Sequence, residues 1–368
     1  MQTVLITGSE GFIGKNFVSF LGQRKEFEII KFKRSDELKK LETCIDKVDW
    51  IFHFAGVNRS VSQEQFVTDN VIFTKALCSI IAKSGKTIPV IFTSSIHVDK
   101  ENEYGISKKR AEAALLNFSK KSKNPVYIYR LPHVFGKWSK PNYNSVIATF
   151  CYNVARNIPI QVSLNKTLEL LYIDDLLLEF EKLLNSTDSI ETFPKVSPIY
   201  KAEVAEIADL IEKFNSLRME NTVPSVGKGL NHALYATFIS FLPKTKFNYS
   251  LKINSDKRGI FSEILKNTDF GQFSFFTILP NNKRGGHFHQ TKVEKFLVVK
   301  GDACFKFRHV ISDERYEIQV SGKDGRVVET IPGWAHEVIN VGEDVLICVL
   351  WANEVFNPDN PDTIPFPN

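Results

Sequence analysis

The sequence predicts two domains of different class: an α/β domain built on a doubly wound parallel sheet, followed by an all-β barrel or jelly roll. The first observation is length, because 368 residues exceed the size at which one hydrophobic core usually stops growing. The second is an alternation of short apolar segments with helical patterns up to residue 242. The third is a succession of closely spaced strand-like segments after residue 252.

The first domain contains five apolar segments typical of buried strands, with helix-like segments between them. Continuous apolar strands joined by crossover helices favour a parallel sheet that is covered on both faces. The segments are TVLIT, FEIIKF, DWIFHFAG, IPVIFTSS and VYIYRLP, which begin at positions 3, 27, 49, 88 and 126.

The second domain is predicted from six segments that Gly, Asn and Asp turns separate, with no room for crossover helices. Such spacing is typical of antiparallel strands in a β-sandwich or jelly roll. Between the domains, residues 243–254 are polar and interrupted by a proline, so we expect residues 1–243 and 252–368 to form the two domains. The segments are GQFSFFTILP, EKFLVVKG, ACFKFRHV, RYEIQV, VVETIP and DVLICVLWAN.

Composition narrows the class of partner and the compartment. The formal charge of +5 arises from 47 basic and 42 acidic residues spread along the chain, which suits small anionic ligands better than nucleic acid. The five cysteines are widely spaced without a CxxC pair, as expected for reduced thiols. Neither a signal peptide nor an apolar segment of the roughly 20 residues that a membrane span requires is visible. We therefore expect a cytoplasmic protein without a membrane span.

The segment TVLITGSEGFIGKNF carries glycines at positions 8, 11 and 14, between a predicted strand and a predicted helix. In a dinucleotide site, Gly8 would form the tight turn, Gly11 would admit the pyrophosphate, and Gly14 would let the helix pack on the strand. The helix N-terminus would then face the phosphates. A glycine-rich turn can be only a turn, but its place after the first strand favours the nucleotide interpretation.

The end of the second predicted strand carries a basic cluster, Lys31, Lys33 and Arg34, before any acidic residue. An NAD site usually presents a carboxylate there, whereas a 2′-phosphate requires positive charge. The cluster favours NADP(H), with Arg34 as the expected contact. The alternative is an ordinary solvated basic face.

Tyr104 and Lys108 are four residues apart and so lie on one face of a helix, and Ser95 ends the strand before them. Hydride transfer to a ketone requires a proton for the new alkoxide. A tyrosine beside an ammonium can donate that proton, while a serine hydroxyl holds the carbonyl oxygen.

These residues and several further motifs resemble the extended short-chain dehydrogenases/reductases that act on nucleotide sugars, which have a Rossmann-type domain. The resemblance covers about the first 240 residues and implies that Ser95, Tyr104 and Lys108 are catalytic. Two departures concern substrate contacts: the segment from Ser95 to Tyr104 is short, and His133 stands where the family commonly has asparagine. The motifs are HFAG, TSS, YGISK, RLPHVFG and LLYIDDL. The predicted cofactor-binding residues are Gly8, Gly11, Phe12, Ile13, Gly14, Arg34, Ala55, Tyr104 and Lys108.

A second cluster lies near the C-terminus, where GGHFHQTKVEKFLVVKG contains His287, His289 and Glu294, and IPGWAHEVIN supplies His336. Three imidazoles and a carboxylate suit a divalent zinc, manganese, iron or nickel ion and leave positions open for substrate. The order and spacing are similar to the two motifs of the cupin superfamily, which implies a metal site in a small β-barrel, with zinc as the expected ion. The alternative is a set of buried structural histidines.

The role of His287 stays open at this point. DKRGIFSEI at Asp256–Ile264 and RGGHFHQ at Arg284–Gln290 also resemble motifs of deoxysugar 3,5-epimerases. Those enzymes are cupins that use a histidine as a base without metal, so His287 is either a ligand or a base.

The whole chain resembles the CapF/WbjC-type family of bifunctional enzymes of bacterial capsule and O-antigen synthesis. The resemblance implies that the cupin domain epimerises C3 of UDP-2-acetamido-2,6-dideoxy-4-hexulose. The reductase domain would then use NADPH to form UDP-2-acetamido-2,6-dideoxy-L-talose. It also implies a UDP-linked 4-keto deoxy amino sugar as partner and a homodimer. The alternatives are a reductase with a structural or dimerising cupin domain, and an NADP(H)-sensing regulator without turnover.

Overall fold

The computed structural model describes residues 1–59, 62–163, 165–186 and 191–366. The chain forms two compact units, Met1–Glu212 with His232–Pro243, and Lys213–Asn231 with the chain from Lys244 onward. The sequence-based division assigns residues 213–231 to the first domain, whereas the structure groups them with the second unit. The reason is local pairing: Thr222 forms a β-bridge with Lys266, and Asn267 Nδ2 donates to the Val223 carbonyl at 2.6 Å.

The first unit contains a parallel sheet in which the strand order reverses beside the first strand. In the described part of the chain, five strands lie in the order β2-β1-β3-β4-β5, and all neighbours are parallel. Their bounds are β1 Gln2–Thr7, β2 Phe27–Phe32, β3 Trp50–His53, β4 Val90–Ser95 and β5 Val126–Leu131. The reversal between β1 and β3 opens a crevice at the carboxyl ends of these strands, where ligands of such sheets bind.

Helices cover both faces of this sheet. Leu5 of β1 belongs to one hydrophobic core, while its neighbours Val4 and Ile6 belong to the core on the opposite face. This alternation is the physical basis of the apolar strand pattern. The helices of the described chain are α1 Phe12–Leu21, α2 Leu38–Cys44, α3 Gln63–Phe66, α4 Phe73–Ser84, α5 Glu103–Ser122, α6 Val146–Val154, α7 Ile173–Asn185, α8 Val204–Met219 and α9 Gly229–Ser240. Residues 213–219 of α8 and 229–231 of α9 belong to the second unit. A π-helical segment, Val67–Ile72, precedes α4.

A small second sheet completes the first unit. Its strands are β6 His133–Phe135, β7 Thr167–Tyr172 and β8 Tyr200–Glu203, with β6 parallel and β8 antiparallel to β7. Because β6 begins two residues after β5 ends, this sheet places His133 next to the carboxyl end of the main sheet.

The second unit is built from two antiparallel sheets around one core. One sheet has the order β16-β13-β18-β11-β10-β9 and the other β15-β14-β17-β12-β19. Phe276 and Phe296 from the first sheet pack with Phe305 and Val338 from the second. The strands are β9 Asn254–Asp256, β10 Gly259–Asn267, β11 Gly271–Ile278, β12 Lys283–Phe288, β13 Glu294–Lys300, β14 Asp302–His309, β15 Arg315–Ser321, β16 Val327–Glu329, β17 Trp334–Asn340, β18 Leu346–Ala352 and β19 Ile364–Pro365.

Both parts of the predicted fold class are confirmed, the parallel α/β sheet followed by the antiparallel all-β unit. Among the residues that the structure describes, no helix is long and apolar enough to cross a membrane.

Candidate functional site

The glycine turn between β1 and α1 is built by close backbone contacts. Gly8 has φ +66°, and a Cβ there would lie 2.7 Å from the Ala55 nitrogen. A Cβ on Gly14 would lie 2.2 Å from the Gly8 carbonyl oxygen, while the Gly11 N–H donates to that oxygen at 2.9 Å. Helix α1 begins at Phe12, and Gly11 has no side chain to cap it. The first N–H groups of α1, including those of Phe12 and Ile13, therefore lie where an anion would be stabilised.

A buried histidine holds the two strands that flank this turn. The His53 ring lies between Thr7 Oγ1 at 2.7 Å and Thr74 Oγ1 at 2.8 Å, and Thr7 Oγ1 accepts from the Ala55 N–H at 3.3 Å. Burial lowers the pKa of His53 to about 3, so the ring is neutral at physiological pH. Gly8 and Ala55 are thereby held against each other at the carboxyl ends of β1 and β3.

Arg34 lies just beyond β2 and is already paired. Its side chain is 71% exposed, and Nη2 lies 2.7 Å from Asp69 Oδ2. Lys33 Nζ lies 2.9 Å from Glu10 Oε1. A 2′-phosphate would therefore have to displace or share a carboxylate partner of this basic cluster.

The structure brings together Ser95, Tyr104 and Lys108. Ser95 is the last residue of β4, and Tyr104 and Lys108 are one turn apart near the start of α5. Burial raises the pKa of Tyr104, and a hydrogen bond with Ser95 partly offsets that rise. The Lys108 ammonium donates to the Thr93 carbonyl at 3.0 Å, and burial lowers its pKa to about 8. A proton donor, a hydroxyl and a buried cation thus converge at the carboxyl end of β4.

Two buried polar residues near this cluster, Glu112 and Asn70, are not among those that the sequence predicts. Glu112 is buried, accepts from Ser94 Oγ at 2.6 Å, and pairs with Arg130 through two hydrogen bonds of 3.1 and 2.7 Å. The sequence does indicate Glu112, because this residue follows Lys108 by four positions and so lies one turn further along the same helix.

Asn70, in the π-helical segment, was also missed. Its Nδ2 donates to the Val57 carbonyl at 3.0 Å and to Ser107 Oγ at 2.9 Å, and its Oδ1 accepts from the Val57 N–H at 2.8 Å. The side chain links the loop after β3 to helix α5. Nothing in the local sequence indicates these long-range contacts.

The first unit also contains a cavity of about 520 Å³. His133 lines it, and the His133 ring lies 5.5 Å from the ring of His97, two residues after Ser95. Arg59, Asn142 and Lys166 also line the cavity. Its polar and basic lining matches an anionic, hydroxyl-rich ligand.

The second site lies inside the β unit and is assembled from both sheets. His287 on β12 is directly opposite His336 on β17, while Glu294 begins β13 in the other sheet. His289 lies one residue beyond the end of β12 rather than within the strand. The candidate ligand atoms of all four residues lie within 4.8 Å of one another.

These residues fit a divalent metal ion. Glu294 Oε2 lies 3.2 Å from His289 Nε2 and 3.4 Å from His336 Nε2. Burial opposes ionisation of Glu294, but its hydrogen bonds to these two histidines bring the pKa below the ordinary value. Burial and the neighbouring imidazoles lower the pKa of His287 to about 4, so this ring is neutral, the form that binds metal. Three nitrogens and one carboxylate oxygen around one point form a donor set typical of zinc and related ions.

A cavity of about 380 Å³ opens onto this cluster. Its lining includes the cationic side chains of Arg258, Arg284 and Lys292. Lys292 is 4% exposed, and its Nζ donates to Thr363 Oγ1 at 3.2 Å. The sequence pattern does not single out Lys292, because a lysine in a turn between strands gives no indication that it is buried.

The chain belongs to the NAD dependent epimerase/dehydratase family, whose model matches residues 4–193. The polysaccharide biosynthesis C-terminal domain matches residues 254–364. Over 362 residues the chain is 47% identical to the UDP-2-acetamido-2,6-beta-L-arabino-hexul-4-ose reductase of Pseudomonas aeruginosa strain PA103, covering 98% of this chain and 97% of that protein.

Solved structures agree with this assignment. The capsular polysaccharide assembling protein CapF of Staphylococcus aureus is 40% identical, with a TM-score of 0.93 that covers 99% of this chain and all of that one. The resemblance to CapF/WbjC-type enzymes is thereby confirmed. A Bacillus cereus UDP-glucuronic acid 4-epimerase in complex with NAD is 16% identical, with a TM-score of 0.57 over 65% of this chain and 96% of that one, which shows the fold alone.

Proposed function

We propose that this protein is a bifunctional nucleotide-sugar enzyme of capsular or O-antigen polysaccharide synthesis. Its second unit epimerises C3 of UDP-2-acetamido-2,6-dideoxy-4-hexulose, and its first unit reduces the C4 ketone to give UDP-2-acetamido-2,6-dideoxy-L-talose. The observation that carries this proposal is the presence of two chemically complete clusters, Ser95–Tyr104–Lys108 and the His3Glu set, in one chain. Its 47% identity to a 4-hexulose reductase over nearly the whole chain supports the substrate class.

The reduction assigns one role to each residue of the first cluster. When NADPH is bound, C4 would receive its hydride. The Ser95 hydroxyl donates a hydrogen bond to the ketone oxygen, and Tyr104 gives its proton to the alkoxide that forms. Lys108 stabilises the resulting phenolate through its positive charge, which is why a buried ammonium lies one helical turn from the tyrosine.

The epimerisation depends on charge in the second cavity. Removal of the C3 proton beside the ketone places negative charge on the ketone oxygen. Arg258, Arg284 and Lys292 line the cavity and favour that charge. A divalent metal held by His289, Glu294 and His336 would supply Lewis-acid stabilisation. His287 either completes that ligand set or takes the proton itself.

The chemistry sets the order of the two steps. The C4 ketone makes the C3–H acidic, so epimerisation must precede the reduction that consumes the ketone. Reduction then removes the activating group and preserves the new stereocentre. The presence of both units in one chain suits this order of reaction steps.

A second candidate is a reductase whose β unit is structural or mediates dimerisation. The name of the Pseudomonas aeruginosa relative, which describes a reductase alone, favours it. Solvent deuterium exchange at C3 distinguishes the two candidates.

The test incubates the 4-keto sugar in D2O without NADPH and follows deuterium at C3. We expect exchange with the wild-type protein and with Tyr104→Phe, and no exchange with His336→Ala. Tyr104→Phe should lower substrate-dependent NADPH oxidation by about 10²- to 10⁴-fold, the usual contribution of a general acid. His309→Ala is the matched control, because His309 lies in the same unit and contacts Ser312 outside the cluster. Exchange that persists unchanged in His336→Ala would exclude the β unit as the epimerase.

Cofactor choice is tested at Arg34. We expect NADPH to bind more tightly than NADH, and Arg34→Ala to weaken NADPH binding about tenfold while leaving NADH binding unchanged, as for the loss of one charge-assisted contact. Titration calorimetry measures both affinities. Lys25→Ala is the control, since Lys25 is exposed and precedes β2, whereas Arg34 follows the carboxyl end of that strand. Equal affinity for the two cofactors in the wild-type protein contradicts the NADP(H) assignment.

A further inference from the structure

The segment that connects the metal-ligand histidines to Glu294 is held by one distant carboxylate. We call residues 289–293 the ligand loop and residues 361–366 the C-terminal strap. Asp362 Oδ1 accepts from the Gln290 N–H at 2.8 Å, and Asp362 Oδ2 accepts from the N–H groups of Thr291 and Lys292, both at 2.7 Å. The Thr291 hydroxyl adds a fourth hydrogen bond at 3.1 Å. One side chain thus satisfies three successive backbone donors of the ligand loop.

The backbone of the same residue contacts a metal ligand. His289 Nδ1 hydrogen-bonds to the Asp362 carbonyl oxygen. A carbonyl oxygen only accepts, so Nδ1 carries a proton, and Nε2 is the ring nitrogen directed at Glu294 Oε2. In the neutral ring, the Nδ1–H tautomer leaves Nε2 without a proton. That tautomer is the one in which Nε2 can bind a metal ion.

The C-terminal strap is itself anchored beside another candidate ligand. In β19, Pro365 pairs with His287 and Ile364 pairs with Phe288. The Phe366 N–H donates to the Gly286 carbonyl at 2.9 Å. The strap therefore connects the β12 backbone at His287 to the ligand loop after His289.

Other residues hold the far end of the ligand loop. Asn353 Oδ1 accepts from the Val293 N–H at 3.0 Å, and Thr330 Oγ1 accepts from the Glu294 N–H at 2.9 Å. Glu294 thus keeps its own supports when Asp362 is changed. A substitution of Asp362 should therefore change the position of His289 more than that of Glu294.

We propose that Asp362 is a positioning residue of the metal centre, which orders the ligand loop through its carboxylate and orients His289 through its carbonyl oxygen. The inference rests on the proposed function in that it takes the His3Glu cluster as a metal site. A negative oxygen that accepts several N–H donors forms stronger hydrogen bonds than a neutral one. An asparagine at position 362 would place its NH2 group against a backbone N–H donor. Only its single side-chain oxygen could then accept hydrogen bonds from the ligand loop.

The test measures metal retention by the full-length protein rather than turnover. Wild-type and Asp362→Asn proteins are loaded with zinc or cobalt, and affinity is measured by competition with a chromogenic chelator. We expect Asp362→Asn to bind the metal about 10- to 100-fold more weakly, the usual effect of changing a residue that supports a metal ligand. The visible spectrum of the cobalt form should change, because the orientation of His289 alters the ligand field.

Asp324→Asn is the matched control, because Asp324 Oδ2 accepts from the Ser321 N–H at 2.8 Å in an exposed turn of the same unit. We expect its metal affinity to equal that of the wild type. Thr291→Val removes only the hydroxyl contact and should weaken metal binding by a smaller factor. If Asp362→Asn does not fold, Thr291→Val decides instead, and an affinity equal to wild type overturns the proposal.

Unchanged affinity and an unchanged cobalt spectrum in folded Asp362→Asn overturn the proposal. A wild-type protein that binds no divalent metal overturns it together with the metal centre. A wild-type protein that binds metal but shows no C3 exchange refutes the proposed epimerisation, while a weakened Asp362→Asn still supports the positioning role.

Discussion

Lys108 illustrates at the residue scale how burial changes the proton affinity of a side chain. Its ammonium is buried, donates to the Thr93 carbonyl at 3.0 Å and lies 4.7 Å from the centre of the Phe92 ring. Burial disfavours the charged form and lowers the pKa of Lys108 to about 8, although Glu112 opposes this change. The residue is therefore still protonated at neutral pH but loses its proton under mildly basic conditions.

A pH dependence follows from this shift. Lys108 is charged below about pH 8 and neutral above it, so kcat/KM for ketone reduction should fall as the pH rises through that value. The variant Lys108→Arg keeps its charge because the guanidinium pKa exceeds about 12, and its falling limb should move to higher pH even if its maximal rate is lower. Steady-state profiles measure both. A falling limb at the same pH in Lys108→Arg would show that another group is responsible.

The turn between β1 and α1 shows at the element scale why glycine is required at positions 8 and 14. The α1 backbone crosses β1 so closely that Gly14 has no space for a methyl group near the Gly8 carbonyl. Gly8 in turn has a positive φ and lies against Ala55, at the point where the strand order reverses. The turn, the helix N-terminus and the crevice are consequently one structural unit.

Gly14→Ala tests this unit. The added Cβ would lie 2.2 Å from the Gly8 carbonyl oxygen, so α1 must shift away from β1. We expect cofactor affinity to fall at least tenfold and the melting temperature to decrease, since overpacking typically costs about 1–3 kcal/mol. Gly227→Ala is the control, because a Cβ at that position would meet no atom within 4 Å. Wild-type cofactor affinity in Gly14→Ala would contradict the close-packing argument.

At the scale of the whole molecule, each unit has its own hydrophobic core and its own polar cluster. The first unit contains the cores on both faces of the parallel sheet, and the second contains the core between the antiparallel sheets. The residues of each candidate site come from one unit alone. The predicted homodimer stays a prediction, and sedimentation of the full-length protein tests it.

Metal removal should therefore affect one unit selectively. A ligand that binds only the folded state stabilises by about 2.7 kcal/mol at a hundred times its Kd. We expect a chelator to lower the unfolding temperature of the second unit and to leave NADPH binding by the first unit unchanged. Scanning calorimetry with and without chelator measures this difference. His336→Ala should show no response to chelator, whereas a shift of equal size in that variant would point to a different metal site.

The sequence by itself determined the two fold classes and predicted the candidate residues of both clusters. Apolar runs and turn residues reflect local periodicity, and Gly8, Gly11 and Gly14 lie within one turn and the helix that follows it. Tyr104 and Lys108 are four residues apart on one helix. Spacing alone predicts such contacts because helix and strand geometry convert it directly into distance.

The tertiary structure alone decided which distant groups support these clusters. Arg34 pairs with Asp69, Glu112 pairs with Arg130, and Asp362 binds a loop about seventy positions earlier. It also grouped residues 213–231 with the second unit. These pairs depend on how the fold brings strands and loops together in space. The number of residues between two partners in the sequence therefore does not predict the contact. The sequence thus names the candidate side chains of both clusters, while the fold supplies the charges and hydrogen bonds that set their orientation and pKa.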